Sequence, residues 1–193
     1  MRKQIVMGIV SMAAAIALSG CANGEQDTSP NENEGMNTNM EENMDMDHSN
    51  MEHSSSGEVP EGLKVAENPT FKVGSKAIIK SEHMEGMKGA EATIVGAYDT
   101  VAYTVSYTST NDRDRVENHT WVIHEEIEGT DSKPYEPGTK VIIDVEHMEG
   151  MEGATADIVT GEETTVYMVD FVSTTGEAVT NHKWVTESEL SAK

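Results

Sequence analysis

In the C-terminal part of the chain, apolar and polar residues alternate in short runs that predict β-strands. The run Val101 to Thr108 is the clearest, because Tyr103, Val105 and Tyr107 alternate there with smaller residues. A period of two places one set of side chains on the buried face of a strand. A turn is expected just before this strand, near Tyr98-Asp99. The same pattern predicts three further strands, over Lys76 to Lys80, Ala92 to Ala97 and His119 to Ile123.

The strand pattern occurs twice, because this part of the sequence contains an internal repeat. The segment Lys80 to Ala90 returns as Asp144 to Ala154 with its His-Met-Glu-Gly-Met sequence intact. Asn118 to Val122 returns as Asn181 to Val185, again with Asn-His and Trp-Val in place. The two copies therefore retain the same positions while the residues around them differ.

Several short strands within so short a unit are typical of a small SH3-like barrel. We therefore predict an all-β fold of two tandem small SH3-like barrels, the first over residues 71–128 and the second over 135–193. A unit of this size is only marginally stable alone, so the two copies are expected to pack together.

Residues 1–20 have the layout of a secretory signal. Two basic residues precede an uncharged, mostly apolar stretch from Ile5 to Leu18, which is too short for an ordinary transmembrane helix. The stretch closes in Leu18-Ser19-Gly20-Cys21, which resembles the bacterial lipobox, where the cysteine is lipidated. An ordinary signal peptide with a chance cysteine is the alternative, but Cys21 is the single cysteine of the chain. Lipid on Cys21 is then expected to anchor the protein to the outer face of the cell membrane.

Charge and composition narrow the possible functions. The formal net charge is −22 at pH 7 and becomes more negative when the two basic residues of the signal are removed. Such acidity argues against binding to nucleic acid or directly to an anionic lipid surface. Residues 21–70 are polar and acidic and contain no aromatic residue, so they are predicted to form a disordered tether. A mature chain with no free thiol has no disulfide, thiolate metal site or cysteine nucleophile.

The repeated His-Met-Glu-Gly-Met loop is the strongest candidate for chemistry. Methionines in a Gly- and Glu-rich loop between strands are poorly explained by core packing. A thioether is a soft, neutral ligand that suits Cu(I), and an imidazole adds a borderline nitrogen ligand. The alternative is that the methionines close the mouth of a barrel and the histidines are exposed. The candidate metal ligands of the two loops are His83, Met84, Met87, His147, Met148 and Met151.

The repeated Asn-His-x-Trp-Val segment supplies a second set of candidates. If it is a strand, His119 and Trp121 point to the same face, as do His182 and Trp184. The tryptophans are expected in the core or at the barrel rim. The alternative is that His119 and His182 complete the metal sites of the loops while the indoles cap the metal by a cation–π contact. His124 has no counterpart in the second copy and is expected to be an exposed histidine.

The tether carries its own concentration of soft ligands. Methionines bury nothing in a disordered segment, so their number favours a low-affinity arm that collects Cu(I) on sulfur and Cu(II) on imidazole. Compositional drift is the alternative. The arm residues are Met36, Met40, Met44, Met46, His48, Met51 and His53.

The tandem units, with H-M-x-G-M-x-G-A, the Tyr/Val strand and N-H-x-W-V, resemble the YdhK/CopL family of Gram-positive lipoproteins. The resemblance covers about 71–190 together with the lipobox and the Met/His-rich arm. It implies extracellular copper binding that lowers the metal reaching the cytoplasm. By motif match it points to His83, Met84, Met87, His119, His147, Met148, Met151 and His182 as the copper-site residues.

The sequence therefore predicts an extracytoplasmic, lipid-anchored protein that binds copper, chiefly Cu(I), for sequestration or hand-over in copper resistance. A copper-exporting ATPase or a multicopper oxidase is the expected partner for hand-over. The alternative is a cell-wall or protein-binding SH3-like adhesion module without metal. An enzyme is not expected, because the chain lacks a Gly-x-Ser-x-Gly elbow and a dinucleotide fingerprint.

Overall fold

The structure is a computed structural model, and it describes residues 54–193. These residues form a single antiparallel sheet system with two short 3₁₀ turns, His124–Glu126 and Glu187–Glu189. Within 54–193, no helix is long and apolar enough to cross a membrane. The strands are β1 (Lys64–Val65), β2 (Lys76–Ile79), β3 (Glu91–Thr108), β4 (Arg115–Ile123), β5 (Lys140–Ile142), β6 (Thr155–Val172), β7 (Ala178–Thr186) and β8 (Leu190–Ala192).

Two parts of the sequence analysis fall outside the described residues. One is the signal peptide over 1–20 with the lipid-acceptor Cys21. The other is the metal-collecting arm, with Met36, Met40, Met44, Met46, His48, Met51 and His53.

The two longest strands, β3 and β6, pair with each other along almost their whole length. Each has 18 residues, and the antiparallel register runs from Ala92 opposite Phe171 to Tyr107 opposite Ala156. The expectation of a turn near Tyr98-Asp99 is wrong, because this pairing continues through both residues. The partner strand comes from the other repeat, so the local sequence of the first repeat could not reveal it.

The remaining strands pair with one half of β3 or one half of β6. β2 pairs with the first half of β3 and β4 with the second half, while β5 and β7 do the same on β6. Because β3 and β6 are antiparallel, the first half of each repeat lies beside the second half of the other. The short last segments cross over in the same way, since β8 pairs with β2 and Ile127 bridges to Ile143.

The two main hydrophobic clusters each combine the first half of one repeat with the second half of the other. One cluster packs Ile79, Met87 and Ile94 of the first repeat against Tyr167 and Val169 of the second, together with other buried residues. A matching cluster packs residues of β3 and β4, such as Tyr103 and Val122, against the loop and first strands of the second repeat. The all-β class and the tandem duplication are confirmed, and each packed core is shared by both repeats rather than enclosed by one.

Residues 54–70 belong to the fold, so the prediction of a disordered tether up to Thr70 is wrong for this part. Lys64 and Val65 pair with Asp99 and Tyr98 of β3. Leu63 packs against a third cluster, which contains Trp184 at 1% exposure. The segment has low hydrophobicity, and the sheet edge on which it rests supplies the hydrogen bonds that order it.

The shared cores predict that one repeat does not fold as a monomer. A fragment of residues 54–134 or 135–193 lacks half of each cluster, so each is expected to be unfolded or self-associated. Mixing the two is expected to restore one folded heterodimer, because every strand then regains its partner. Circular dichroism with sedimentation velocity measures both states. A stable folded monomer of either fragment contradicts the shared-core assignment.

Candidate metal centre

The four histidines of the repeated motifs meet in two pairs, and each pair joins the two repeats. The ring centroids of His83 and His182 lie 6.3 Å apart, and we call these residues the first imidazole pair. Those of His119 and His147 lie 6.2 Å apart and form the second imidazole pair. The sequence analysis selected all four residues, but it could not tell that each loop histidine faces the strand histidine of the other copy.

Backbone geometry places the strand histidines in the same way in both copies. Asn118 and Asn181, immediately before them, adopt positive φ angles of 55° and 52°. His119 lies opposite Val105 of β3, and His182 lies opposite Val169 of β6. The peptide bonds that lead into the two tryptophans are both cis. The Asn-His-x-Trp repeat therefore encodes one local conformation used twice.

Contacts with the turn of the opposite repeat place the loop histidines. Thr174 N donates to Gly86 O at 2.8 Å, and Thr110 N donates to Gly150 O at 2.9 Å. At Gly150 (φ +77°) an added Cβ would lie 2.4 Å from Ser109 Oγ. This approach is closer than a Cβ tolerates. At Gly86 (φ +74°) an added Cβ would lie 3.1 Å from Thr174 Oγ1, so the glycine of the first copy is required mainly by its positive φ.

A carboxylate from each 3₁₀ turn bonds to an imidazole and an indole of the other repeat. Glu126 accepts hydrogen bonds from His147 Nε2 at 3.0 Å and Trp184 Nε1 at 2.9 Å. Glu189 accepts from His83 Nε2 at 2.7 Å and Trp121 Nε1 at 2.8 Å. These two carboxylates were not among the site residues predicted from the sequence. Glu126 and Glu189 occupy equivalent positions in the two repeats, and this repetition could have identified them as site residues.

Glu126 is the more deeply buried carboxylate, with 1% exposure. Its Oε2 also accepts from the backbone N–H of Ile123 at 3.1 Å, which fixes the start of the 3₁₀ turn. Glu189 Oε2 accepts from Thr186 N at 2.9 Å in the same way. Burial alone would raise the pKa of Glu189, but the hydrogen bond and charge of His83 and the bonds from Thr186 and Trp121 together outweigh burial, so the pKa lies below its usual value. A buried carboxylate with these donors is a fixed negative charge beside the imidazoles.

The carboxylates also fix the tautomers of the loop histidines. A carboxylate only accepts, so the bonds to Glu126 and Glu189 require a proton on Nε2 of His147 and of His83. In the neutral ring, Nδ1 then carries the lone pair. In metal sites, a carboxylate commonly accepts from one nitrogen of a histidine and so orients the other nitrogen toward the metal ion.

His119 is a half-buried, neutral imidazole whose Nε2 has no hydrogen-bond partner among the described residues. Burial, together with the nearby His147 and His83, lowers its pKa to about 4, against the raising effect of Glu126. Its Nε2 is inaccessible to solvent, and within residues 54–193 it has no hydrogen-bond partner. The ring packs edge-on against Tyr107 with centroids 6.1 Å apart. A buried polar atom of this kind costs free energy unless a ligand satisfies it.

Three of the four loop methionines do not lie where the sequence analysis expected them. Met87 and Met151 have 0% exposure and Met84 has 8%, and all three pack in the hydrophobic clusters. The expectation that core packing is a poor explanation for them is therefore wrong. The shared cores extend under the loops, so the loop residues fill space that a separate barrel would not contain. Met148 is half-buried, with Sδ 4.0 Å from the hydroxyl of Tyr107.

The tryptophans and His124 have defined partners. Trp184 is buried and Trp121 half-buried in the same cluster, as expected for core residues. Their indole nitrogens bond to Glu126 and Glu189, so the rings lie at the imidazole pairs without facing open solvent. His124 is not simply exposed, because it bonds to the hydroxyl of Tyr103 and the backbone oxygen of Asp131.

The donor set decides which metal chemistry is available. Within the described part of the chain, no three His, Cys, Asp or Glu side chains are grouped as a metal-ion site requires. The pairs instead offer imidazole nitrogens, with sulfur from Met148 near Tyr107. This set does not suit hard cations such as Ca²⁺ or Mg²⁺, which need several oxygen ligands. Imidazole and thioether suit copper.

Fold and site together define an all-β protein with a duplicated unit, in which histidines of both copies meet across the repeat boundary. The family model described as "Protein of unknown function (DUF1541)" matches residues 73–124 and 137–187. The chain belongs to this DUF1541 family. It is 52% identical over 191 residues to the uncharacterized protein YdhK of Bacillus subtilis strain 168, covering 97% of this chain and 88% of that protein.

Solved structures of YdhK have the same fold. A crystal structure of the Bacillus subtilis DUF1541 family protein ydhK matches with a TM-score of 0.72 and 61% identity, over 76% of this chain and all (100%) of that one. The solution NMR structure of the C-terminal domain of ydhK matches with a TM-score of 0.61 and 63% identity, over 64% of this chain and 94% of that one.

Replacing Glu126 by Gln is expected to destabilise the fold by about 2 kcal/mol. The amide would turn a donor toward one of the donors that now bond to the carboxylate, leaving a buried polar group unpaired. Urea unfolding followed by tryptophan fluorescence measures the change. Glu125→Gln is the matched control, because Glu125 is half-buried and bonds to the Thr100 hydroxyl. Equal stability of the two variants contradicts a structural role for Glu126.

The lowered pKa of His119 predicts a loss of stability in acid. The folded-state pKa is about 4 against an ordinary value of 6.5, so the unfolded chain takes up the proton first as the pH falls. Stability is therefore lost between about pH 6.5 and pH 4, by an amount on the order of 3 kcal/mol. His119→Phe keeps a ring against Tyr107 and removes the titration. Urea midpoints across this pH range are expected to vary less in the variant, and parallel profiles contradict the assignment.

Proposed function

We propose that this protein binds copper outside the cytoplasm at its two imidazole pairs, for sequestration or for hand-over in copper resistance. The proposal rests on His119, whose buried Nε2 has no hydrogen-bond partner within the described residues. Its ring centroid lies 6.2 Å from that of His147. Cu(I) is favoured and Cu(II) is possible. The ion is the cargo of the protein, and no catalytic step is assigned to it.

The electronic state of the imidazoles supports this proposal. A histidine must be neutral to bind a metal ion. The lowered pKa of His119 keeps it neutral over the physiological pH range. Glu126 holds the Nε2 proton of His147 and leaves Nδ1 as a donor atom. Its negative charge also favours a cation at the second pair.

The structure changes which residues we assign to the metal. Met87 and Met151 are buried packing residues, and exposing their sulfur would open the hydrophobic clusters. The imidazoles are therefore the principal ligands in this proposal. Met148, whose sulfur is at the Tyr107 hydroxyl, is the thioether best placed to assist at the second pair. Met84, mostly buried, has the equivalent place after His83 in the sequence.

The proposed location comes from the sequence. Lipidation of Cys21 would hold the protein at the outer face of the membrane. Copper bound there does not enter the cytoplasm. A copper-exporting ATPase or a multicopper oxidase is the proposed partner for hand-over.

The adhesion alternative finds less support. A wall-binding module that holds glycans needs an exposed aromatic platform. Among residues 54–193, the large hydrophobic side chains with high exposure are aliphatic: Val59, Val65, Val73, Ile142, Val159 and Val172. The two tryptophans are instead bonded to Glu126 and Glu189.

Titration of residues 54–193 with Cu(I) against a competing chelator tests the proposal. We expect binding tighter than about micromolar. His119→Phe combined with His182→Phe is expected to weaken it by at least about tenfold, because each pair loses a nitrogen ligand. Met87→Leu with Met151→Leu is expected to leave affinity nearly unchanged, because those sulfurs are buried.

His124→Ala is the matched histidine control, since His124 lies outside both pairs. Circular dichroism confirms that each variant is folded. Binding weaker than micromolar, or equal loss in the control and in the paired variant, contradicts copper binding at the imidazole pairs. Retention on purified peptidoglycan without copper binding would instead favour the adhesion module.

A further inference from the structure

The two imidazole pairs differ in one respect, because residues 54–58 lie along β7. We call this segment the strap. Ser55 N donates to Thr180 O at 3.0 Å, and Thr180 N donates to Ser54 Oγ at 3.1 Å. Ser55 Oγ donates to Asn181 O at 2.6 Å. The strap therefore holds the strand just before His182 through backbone and side-chain bonds.

The strap also holds the residue that follows His182. Lys183 donates from its ammonium group to the backbone oxygen of Glu58. Asn181 Nδ2 donates to Ser55 O at 3.2 Å. His182 is thus flanked on both sides by residues bonded to the strap, and it is 7% exposed.

β4, the equivalent strand of the first repeat, has no segment among residues 54–193 that lies along it as the strap lies along β7. Asn118 is exposed where Asn181 is half-buried, and His119 is half-buried where His182 is buried. The φ angles of the two asparagines differ by little, at 55° and 52°. The strands themselves therefore match, and the contrast comes from the strap. Lys183 is replaced by Thr120 in the first copy, which removes the ammonium group.

We propose that the strap makes the two imidazole pairs unequal in metal exchange, so that the first pair retains its ion while the second pair exchanges it. This inference rests on the copper binding proposed above. Release of an ion from a buried histidine requires local opening of its strand, and each bond to the strap makes that opening rarer. His182 lies in the strapped strand and His119 in the open one. The protein then contains one retaining site and one exchanging site.

Gly57 offers a precise way to release the strap. Its φ is +79°, and an added Cβ would lie 3.1 Å from the side chain of Asn181. Gly62 is the matched control, because its φ is +87° and nothing lies within 4 Å of an added Cβ. Gly57→Ala and Gly62→Ala therefore carry similar backbone strain, and only the first crowds the Asn181 side chain, which bonds to the strap.

The first measurement needs no metal. Amide hydrogen exchange at Thr180 in the mature chain, with Cys21→Ser to prevent lipidation, reports release of the strap from β7, because this N–H donates to Ser54 Oγ. Gly57→Ala is expected to speed exchange by about tenfold, roughly the loss of one net hydrogen bond. Ser55→Ala, which loses the bond to Asn181 O, is expected to act in the same direction. Its control is Ser56→Ala, because the Ser56 hydroxyl reaches Glu58 within the strap.

The second measurement follows removal of Cu(I) from the same proteins by excess chelator. The wild-type chain is expected to release copper in a fast and a slow phase, and His182→Phe is expected to remove the slow phase. Gly57→Ala is expected to speed the slow phase by about tenfold, while Gly62→Ala leaves it unchanged.

The outcomes separate the two proposals. A wild-type chain that binds no copper overturns the proposed function, and the exchange assignment falls with it. Copper that binds but leaves at one rate overturns the inference alone. The inference is also overturned if Gly57→Ala speeds amide exchange at Thr180 but leaves the slow phase of copper release unchanged. No change in Thr180 exchange shows that the strap does not hold β7.

Discussion

The antiparallel pairing of β3 with β6 is the interaction on which the rest of the structure depends. Both strands are longer than one small barrel needs, and each half serves a different core. The ladder brings the first half of one repeat beside the second half of the other. Every other strand except β8, which pairs with β2, attaches directly to β3 or β6. Duplication is therefore a requirement of the fold, because a single copy supplies only one of the two long strands.

The same pairing creates the candidate site. A loop histidine belongs to the first half of its repeat, whereas a strand histidine and the acidic 3₁₀ turn belong to the second half. Exchange of halves brings His147 to His119 and Glu126, and it brings His83 to His182 and Glu189. The buried carboxylates have two effects. They start the turns through backbone bonds, and each bonds to an imidazole and an indole of the other repeat, so fold and site depend on the same residues.

The sequence predicted features that depend on neighbouring residues, and it did not predict those that depend on residues far apart in the chain. The alternation of Tyr103, Val105 and Tyr107 is local, and it gave the strand correctly. The identity of the strand partner is not local. Two matching repeats fit two separate barrels as well as one exchanged pair, because both arrangements use the same patterns of burial. The turn near Tyr98-Asp99 was expected for this reason, although the strand continues there against β6.

The site shows why repetition identifies constrained positions without identifying the constraint. His119 and Met87 both recur in the second copy, yet one is a polar group buried without a hydrogen-bond partner among the described residues, and the other fills a hydrophobic cluster. The strap shows that repetition can also hide a difference. β4 and β7 carry the same motif, yet their histidines differ in burial because the strap, which precedes the repeats, lies along β7 only. A hydrophobic side chain satisfies its environment by packing, and that explains Met87 completely. Packing leaves the Nε2 of His119 unexplained, so the case for a metal now rests on nitrogen and no longer on sulfur.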